Sequence, residues 1–272
     1  MRIKSFGLSD VGRVREKNED SLLMDEGLCL YAVADGMGGH LGGDFASKMA
    51  VGTLAEVIGL LERDPDMTLP ESRFPIKHGQ PQGYLRYAID LASARIYEKA
   101  HDDPSLRGMG TTAVALLFRQ NKVYVANVGD SRAYRIRGER IQQITRDHSL
   151  VGEQIRAGVL SKDDARVHLL KNIITRSVGF QENVDADIDI RVVREGDRFL
   201  LCSDGLSNMV EDDEIRAIVA TNDLEPACRH LVDIANERGG DDNITVILVE
   251  VEDLDQERRG QPVEDESSTL EE

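Results

Sequence analysis

The sequence has few cysteines and no long apolar segment, and each absence excludes a class of protein. Only three cysteines occur, and none of them forms the CxxC spacing of a zinc site or a disulfide framework: Cys29, Cys202 and Cys228. We expect free thiols, buried in a reducing compartment. No apolar run approaches the ~18–20 residues of a membrane helix, and the N-terminus lacks the apolar core of a signal peptide. The expectation is a cytoplasmic protein without membrane contact.

Positive charge is also scarce, because 33 basic residues stand against 50 acidic ones and the net charge is −17. A nucleic-acid partner would require a basic patch, so we expect none. Part of the negative charge is local. Residues 252–272 hold nine acidic and two basic residues and few large apolar side chains, which predicts an acidic, disordered tail.

The hydrophobic pattern predicts an α+β protein. Short runs that are apolar on both faces and rich in β-branched residues predict strands covered on two sides: 27–34, 112–118, 122–128, 132–137, 140–144, 198–202 and 243–251. The short turns after 122–128 and 132–137 are typical of antiparallel hairpins. Helical spacing of apolar residues predicts three helices: 44–61, 82–101 and 226–239.

We therefore expect a layered α-β-β-α sandwich, with two mainly antiparallel sheets flanked by helices. The absence of a linker or repeat favours a single domain over residues 1–251. Residues 62–81 hold four of the seven prolines and predict a loop. Residues 145–180 are polar and weakly periodic, and they predict a flap outside the core.

Aspartates stand where several predicted strands begin or end. Asp35-Gly36 follows the run LYAVA, and Asp204-Gly205 follows FLLC. Asp242 precedes the last predicted strand, and Asp20 precedes the apolar run SLLM. A single Asp-Gly pair is usually a turn, but four such positions in one chain are less easily explained that way.

Convergence of these aspartates would require a compensating positive charge. Two carboxylates ~4 Å apart repel each other by about 4 kcal/mol at an effective dielectric constant near 20. A hard divalent cation with oxygen ligands, Mg²⁺ or Mn²⁺, is the simplest compensation, and the absence of a Cys/His cluster argues against zinc. Whether the four positions converge is a question that the sequence leaves open.

Seven motifs occur in one order along residues 5–250. They are 10–20 (DVGRVREKNED), 35–40 (DGMGGH), 110–112 (GTT), 128–132 (VGDSR), 171–176 (KNIITR), 203–206 (SDGL) and 240–245 (GDDNIT). In these motifs the chain resembles the protein phosphatase 2C family of metal-dependent serine/threonine phosphatases, in its compact bacterial form. One departure concerns the flap, where Leu169 follows His168 at a place where many relatives carry proline.

The resemblance implies a role for each matching residue. Asp35 and the carbonyl of Gly36 would bridge two divalent cations, Mn²⁺ or Mg²⁺. Asp20 would help to hold one cation, and Asp204 and Asp242 the other. Asp130 would help to bind a third, weaker cation. Arg15 would bind the phosphate of the substrate, and His40 would act as the general acid that protonates the leaving oxygen. A guanidinium fork suits phosphate oxygens, and a histidine pKa near neutrality suits proton donation. Arg13 competes with Arg15 for the phosphate role.

The implied activity is hydrolysis of phosphoserine and phosphothreonine by a metal-activated water, in a monomer that reverses a Ser/Thr kinase. Its partners would be phosphorylated proteins, including that kinase and its substrates. Three alternatives stay open at this stage: a non-catalytic phosphoprotein-binding module, a phosphatase for small phosphorylated molecules, and a regulatory phosphatase for anti-sigma-factor antagonists. Activity on phosphoserine, phosphothreonine and phosphotyrosine peptides would separate these classes.

Overall fold

The computed structural model describes residues 1–38, 42–64, 79–161, 164, 168 and 170–254. Two antiparallel sheets stack face to face and carry helices on their outer surfaces, so the predicted α-β-β-α sandwich is confirmed. His40, residues 65–78 of the predicted loop and residues 255–272 of the predicted tail lie outside the described residues. Residues 252 and 253, the first two of the predicted tail, belong instead to the end of a strand. Among the described residues, no helix combines the length and apolar character required to cross a bilayer.

The first sheet has five strands in the order β1-β11-β10-β7-β8. Their bounds are β1 Arg2–Asp10, β7 Arg132–Arg137, β8 Arg140–Gln143, β10 Arg198–Cys202 and β11 Ile244–Asp253. The second sheet has the order β2-β3-β5-β6-β9, and β4 pairs with the end of β3. Its strands are β2 Asp20–Asp25, β3 Leu30–Met37, β4 Gly110–Thr111, β5 Ala113–Arg119, β6 Lys122–Val128 and β9 Asp187–Val192.

Six α-helices are described. They are α1 Gly42–Arg63, α2 Pro81–Asp102, α3 Leu150–Arg156, α4 Asp204–Ser207, α5 Asp212–Thr221 and α6 Leu224–Glu237, and a short 3₁₀ turn spans Pro104–Leu106. Helices α1 and α2 pack on the second sheet, and α5 and α6 pack on the first. The three helices expected from periodicity are α1, α2 and α6. Pro81 stands in the first turn of α2, where its missing N–H costs nothing.

The central strands of the second sheet, β3, β5 and β6, are buried on both faces, which explains their unbroken apolar runs. Along β3, Tyr31 and Val33 point into the layer between the sheets, whereas Ala32 and Ala34 contact the helical layer. Such alternation follows from the two-residue repeat of a strand. Phe199 of the first sheet closes the inter-sheet layer from the other side.

Three expectations need correction. The segment 129–131 is no hairpin turn: β6 belongs to the second sheet and β7 to the first, so these residues cross between the sheets. Val178 is fully buried and pairs with Thr111, so the end of the predicted flap belongs to the body of the protein. Cys29 is only half-buried, although the other two cysteines are buried and all three thiols are free.

We predict that Phe199→Ala lowers the free energy of unfolding by about 3–5 kcal/mol, because it leaves a cavity in the inter-sheet layer. The Phe199 ring is fully buried and meets the Phe118 ring edge-on at a centroid distance of 5.4 Å. Urea unfolding measures the change. Ile190→Ala, at an exposed position on β9, is the control and should stay within about 0.5 kcal/mol. A loss below about 1 kcal/mol for Phe199→Ala would contradict this packing.

Candidate active site

The pairing of β2 with β3 brings two of the predicted aspartates together. Asp20 begins β2 and lies directly opposite Asp35 near the end of β3. Directly opposed residues of an antiparallel pair have neighbouring side chains, and like charges in such a pair destabilise the sheet. The register therefore places a repulsive pair at one end of the sandwich.

Two threonines fix the backbone of Asp35. The Asp35 N–H donates to Oγ1 of Thr112 at 2.9 Å, and the Asp35 carbonyl accepts from the Thr112 N–H at 2.9 Å and the Thr111 hydroxyl at 2.9 Å. The Thr112 hydroxyl also shares a 2.7 Å hydrogen bond with the Ser131 hydroxyl. The Gly-Thr-Thr motif thereby connects the end of β3 to the crossover segment that carries Asp130.

The glycine after each of two aspartates allows a close approach of backbones. A Cβ on Gly36 would lie 2.1 Å from the carbonyl oxygen of Gly43, and one on Gly205 would lie 2.0 Å from that of Asn243. Neither contact is possible for a side chain in a packed interior. The Asp-Gly pairs are thus close-packing positions as well as strand ends.

Asp35 lies among four other carboxylates, the ones that the sequence singled out. Burial, and then the negative charges of Asp20, Asp204, Asp130 and Asp242, hold its pKa well above the usual range. Burial also raises the pKa of Asp20 to about 7 and that of Asp130 to about 8. The pKa of Asp204 is raised by burial and next by the charge of Asp242. The four strand-end aspartates therefore converge, together with Asp130.

Two buried carboxylate oxygens in this cluster lack a hydrogen bond of normal geometry with any described residue: Oδ1 of Asp20 and Oδ1 of Asp204. The other oxygen of each carboxylate accepts a hydrogen bond, from the Ser203 hydroxyl at 2.8 Å and from the Asn208 amide at 3.0 Å. Among the described residues, no three acidic, histidine or cysteine side chains are close enough to enclose an ion as they stand. Coordination by this cluster would require side-chain rotation.

Arg15 contacts the cluster directly. Its Nη2 atom donates to Oδ2 of Asp242 at 2.8 Å, and this bond raises the pKa of the guanidinium. About half of the Arg15 side chain is exposed, so the group can exchange partners. Arg13, the competing candidate, does not line the cleft described below.

Asn243 was not predicted as a functional residue, yet it holds the Arg15 segment in place. Its Oδ1 accepts from the Glu19 N–H at 2.8 Å, and its Nδ2 donates to the carbonyls of Val11 and Lys17, each at 2.9 Å. One buried amide therefore ties three backbone points of the N-terminal loop to the start of β11. Its place beside Asp242 in the GDDNIT motif was the available signal.

Ser203 is a second positioning residue that sequence reasoning missed. It is fully buried; its hydroxyl donates to Asp20 and accepts from the Thr245 N–H at 3.0 Å. This hydroxyl links β2 of the second sheet to β10 and β11 of the first. Its position immediately before Asp204 in the SDGL motif was the sequence feature that could have identified it.

These residues open into a cleft of about 1160 Å³. The predicted site residues that line it are Arg15, Asp35, Gly36, Asp130, Asp204 and Asp242. Asp20 is buried next to Asp35 and is not among the lining residues. Residues from the segments 172–177 and 180–185 also line the cleft, and one of them, Arg176, donates to the Asp187 carboxylate at 2.8 Å. A volume of this size admits an extended substrate.

We predict that, in EDTA, Asp20→Asn makes the protein more stable than the native protein at neutral and higher pH. The Asp20 pKa is about 7 in the folded state and 3.8 without the fold. At pH values between these two pKa values, the unfolded chain loses the Asp20 proton and the folded protein keeps it. The free energy of unfolding therefore falls as the pH rises toward 7. The substitution removes this contribution. Urea unfolding should show a gain of about 1–3 kcal/mol that is larger near pH 8 than near pH 5.

Asp241→Asn is the matched control, because Asp241 is exposed and directly precedes Asp242 of the carboxylate cluster. It should leave the pH dependence unchanged. A gain for Asp20→Asn that is equal at both pH values would contradict a raised pKa for this carboxyl.

Comparison with known proteins identifies the family of the chain. The profile of the protein phosphatase 2C family matches residues 13–248. The serine/threonine phosphatase stp of Listeria monocytogenes is 39% identical over 255 residues, which cover 92% of this chain and 96% of that protein.

Solved structures agree as well. The Mycobacterium tuberculosis serine/threonine phosphatase PstP/Ppp superimposes with a TM-score of 0.81 at 32% identity, over 92% of this chain and 99% of that one. A structure of the PstP catalytic domain in complex with two manganese ions has a TM-score of 0.79 at 33% identity, over 92% of this chain and 99% of that one. Two sheets, a carboxylate cluster and a matched profile lead to one conclusion: the chain belongs to the protein phosphatase 2C family.

Proposed function

We propose that this protein is a metal-dependent protein serine/threonine phosphatase, which hydrolyses phosphoserine and phosphothreonine in phosphorylated proteins. The observation that carries the proposal is the position of Asp35, which lines the cleft and lies among four further carboxylates. Such a concentration of like charge is unfavourable in an interior unless a cation compensates it. Family membership and the names of the relatives support the same activity.

The donor set suits two hard divalent cations, Mn²⁺ or Mg²⁺. Every candidate ligand is an oxygen, and two buried carboxylate oxygens have no competing hydrogen bond of normal geometry among the described residues. We propose that the ligands are the carboxylates of Asp20, Asp35, Asp204 and Asp242 and the carbonyl of Gly36, with Asp130 serving a third, weaker cation. The two manganese ions of the PstP catalytic domain support a centre of two cations.

When bound, the cations would supply Lewis-acid chemistry, lowering the pKa of water and stabilising negative charge on the phosphoryl group. The protein's own groups orient the substrate. Arg15 would exchange Asp242 for two phosphoryl oxygens, which its planar fork can bind together. Asn243 keeps the Arg15 loop at the cleft throughout.

His40 would donate a proton to the departing seryl or threonyl oxygen. It lies outside the described residues, so the proposal for it rests on the DGMGGH motif and on the general suitability of histidine for proton transfer near neutral pH. The backbone that precedes it ends in the cleft, because Met37 and Gly38 are lining residues.

The proposal extends to the cellular setting. The substrates would be a Ser/Thr kinase and the proteins that it phosphorylates, and the enzyme would act as a cytoplasmic monomer that reverses this kinase. The acidic composition supports the absence of a nucleic-acid partner.

The decisive experiment is hydrolysis of a phosphothreonine peptide by the purified protein with EDTA, Mg²⁺ or Mn²⁺. We expect turnover that requires a divalent ion and stops in EDTA. A folded protein that binds the peptide without turning it over with any ion would instead be a phosphoprotein-binding module.

Asp35→Asn should reduce kcat by at least about 10²–10³-fold, because the carboxylate at the centre of the cluster is lost. Steady-state hydrolysis of the phosphothreonine peptide in saturating Mn²⁺ measures the loss. Asp241→Asn is the matched control and should retain native turnover, since Asp241 does not line the cleft. Near-normal turnover of Asp35→Asn would remove the bridging role.

Arg15→Ala should have opposite effects on phosphate and on metal. It should raise the KM of the peptide about tenfold or more, because a charge-assisted bidentate contact is lost. It should also tighten Mn²⁺ binding by up to about fivefold, since an exposed ion pair of this kind contributes at most about 1 kcal/mol. Isothermal titration of the metal-free protein measures the second effect.

Arg13→Ala is the control for both effects and should change neither. Weaker Mn²⁺ binding in Arg15→Ala would show that the guanidinium does not compete with the cation for Asp242.

A further inference from the structure

A second cavity, of about 390 Å³, adjoins the catalytic cleft. It lies between the end of α2, the 3₁₀ turn and the segment around Phe180. Its lining residues are Tyr97, Ala100, His101, Pro104, Arg107, Gly108, Met109, Gly179 and Phe180. Phe180 also lines the cleft, so one aromatic ring stands at the boundary of the two spaces.

Phe180 is exposed, but its backbone is held firmly. Its side chain is 68% exposed, the highest exposure of any described aromatic side chain among the large hydrophobic residues. On one side the Gly179 N–H donates to the Ser93 hydroxyl at 2.9 Å, and on the other the Gln181 carbonyl accepts from the same hydroxyl at 2.8 Å. One buried serine of α2 therefore fixes both neighbours of an aromatic ring that faces solvent.

The cavity differs from the cleft in chemistry. Among the described residues, no aspartate or glutamate lines it, whereas several acidic residues line the cleft. Its walls are mainly aromatic and aliphatic, with Arg107 as the charged lining residue. Tyr97 and His101 stack at a centroid distance of 6.2 Å, and Met109 is buried. A pocket with apolar walls of this size matches one large side chain rather than an ion.

Continuity with the cleft identifies the occupant. A phosphorylated residue at the carboxylate cluster would belong to a longer chain, and that chain has to leave the cleft past its walls. Phe180 lines both the cleft and the second cavity. The occupant that this arrangement suggests is a side chain of the same peptide, because a small phosphate ester has no further group to place there.

We propose that this cavity is a substrate subsite, which binds a large apolar side chain close in sequence to the phosphorylated residue. The inference rests on the proposed function and adds a sequence preference to it. Tyr97, Met109 and Phe180 form the apolar contacts. An interaction of this kind contributes to binding away from the reacting phosphorus, so it lowers KM more than it changes kcat.

The test compares phosphothreonine peptides that are identical except for one residue. A leucine or phenylalanine is moved one position at a time on both sides of the phosphothreonine, and the reference peptide carries alanine throughout. For native protein in Mn²⁺ we expect one position at which the large side chain raises kcat/KM about tenfold, mainly through KM.

Two variants then probe the cavity itself. Ala100→Trp fills it, and Tyr97→Ala removes one wall; neither residue lines the catalytic cleft. In both, the ratio of kcat/KM for the preferred peptide to that for the alanine peptide should fall toward one. Ile190→Ala, an exposed hydrophobic position outside both cavities, should keep the native ratio. Circular dichroism confirms that each variant is folded.

The following results would contradict the proposal that this cavity is a substrate subsite. Equal turnover of all peptides by native protein, or an unchanged ratio in both variants, excludes it and leaves the phosphatase proposal standing. A preference for an acidic residue that disappears in Arg107→Ala would assign the cavity to a carboxylate instead. If native protein hydrolyses no peptide with any ion, the proposed function fails and the subsite with it.

Discussion

Repulsion among clustered carboxylates, two of them buried, is the constraint on which the rest of this structure depends. Five aspartates from distant parts of the chain meet at one end of the sandwich, with Asp35 at their centre. A protein interior penalises each charge and every like-charged neighbour. The surrounding fold therefore has to hold these residues together against their own electrostatics, and a small core could not do so.

The restraint comes from short polar side chains that act on backbone rather than on the carboxylates alone. Thr112 holds the end of β3, Ser203 connects the two sheets, and Asn243 holds the N-terminal loop. Each is buried and forms at least two hydrogen bonds, so loss of one would leave buried partners unsatisfied. The favourable packing of the two-sheet core thus offsets the electrostatic repulsion within a site that is suited to bind cations.

Sequence reasoning found the elements whose pattern is local. Apolar periodicity identified α1, α2 and the central strands, and the four strand-end aspartates were recognised before their convergence was visible. It missed β1, β2 and β9 as strands, because they are partly exposed or carry charges, and it paired β6 with β7 across 129–131. Strand partners depend on contacts distant in sequence, and so do Asn243 and the Phe180 cavity. No periodicity within a segment encodes such contacts.

The pairing of β1 with β11 has a consequence for the timing of synthesis. The Ser9 and Thr245 hydroxyls meet across 236 positions of sequence, and the loop with Arg15 is tied to residues beside Thr245. A ribosome adds about 5–20 residues per second, so β1 waits on the order of tens of seconds for its neighbour. During that interval the nascent chain carries β1 as an unpaired edge and no complete cleft. The loop that carries Arg15 can therefore reach its final position only after β11 has been added.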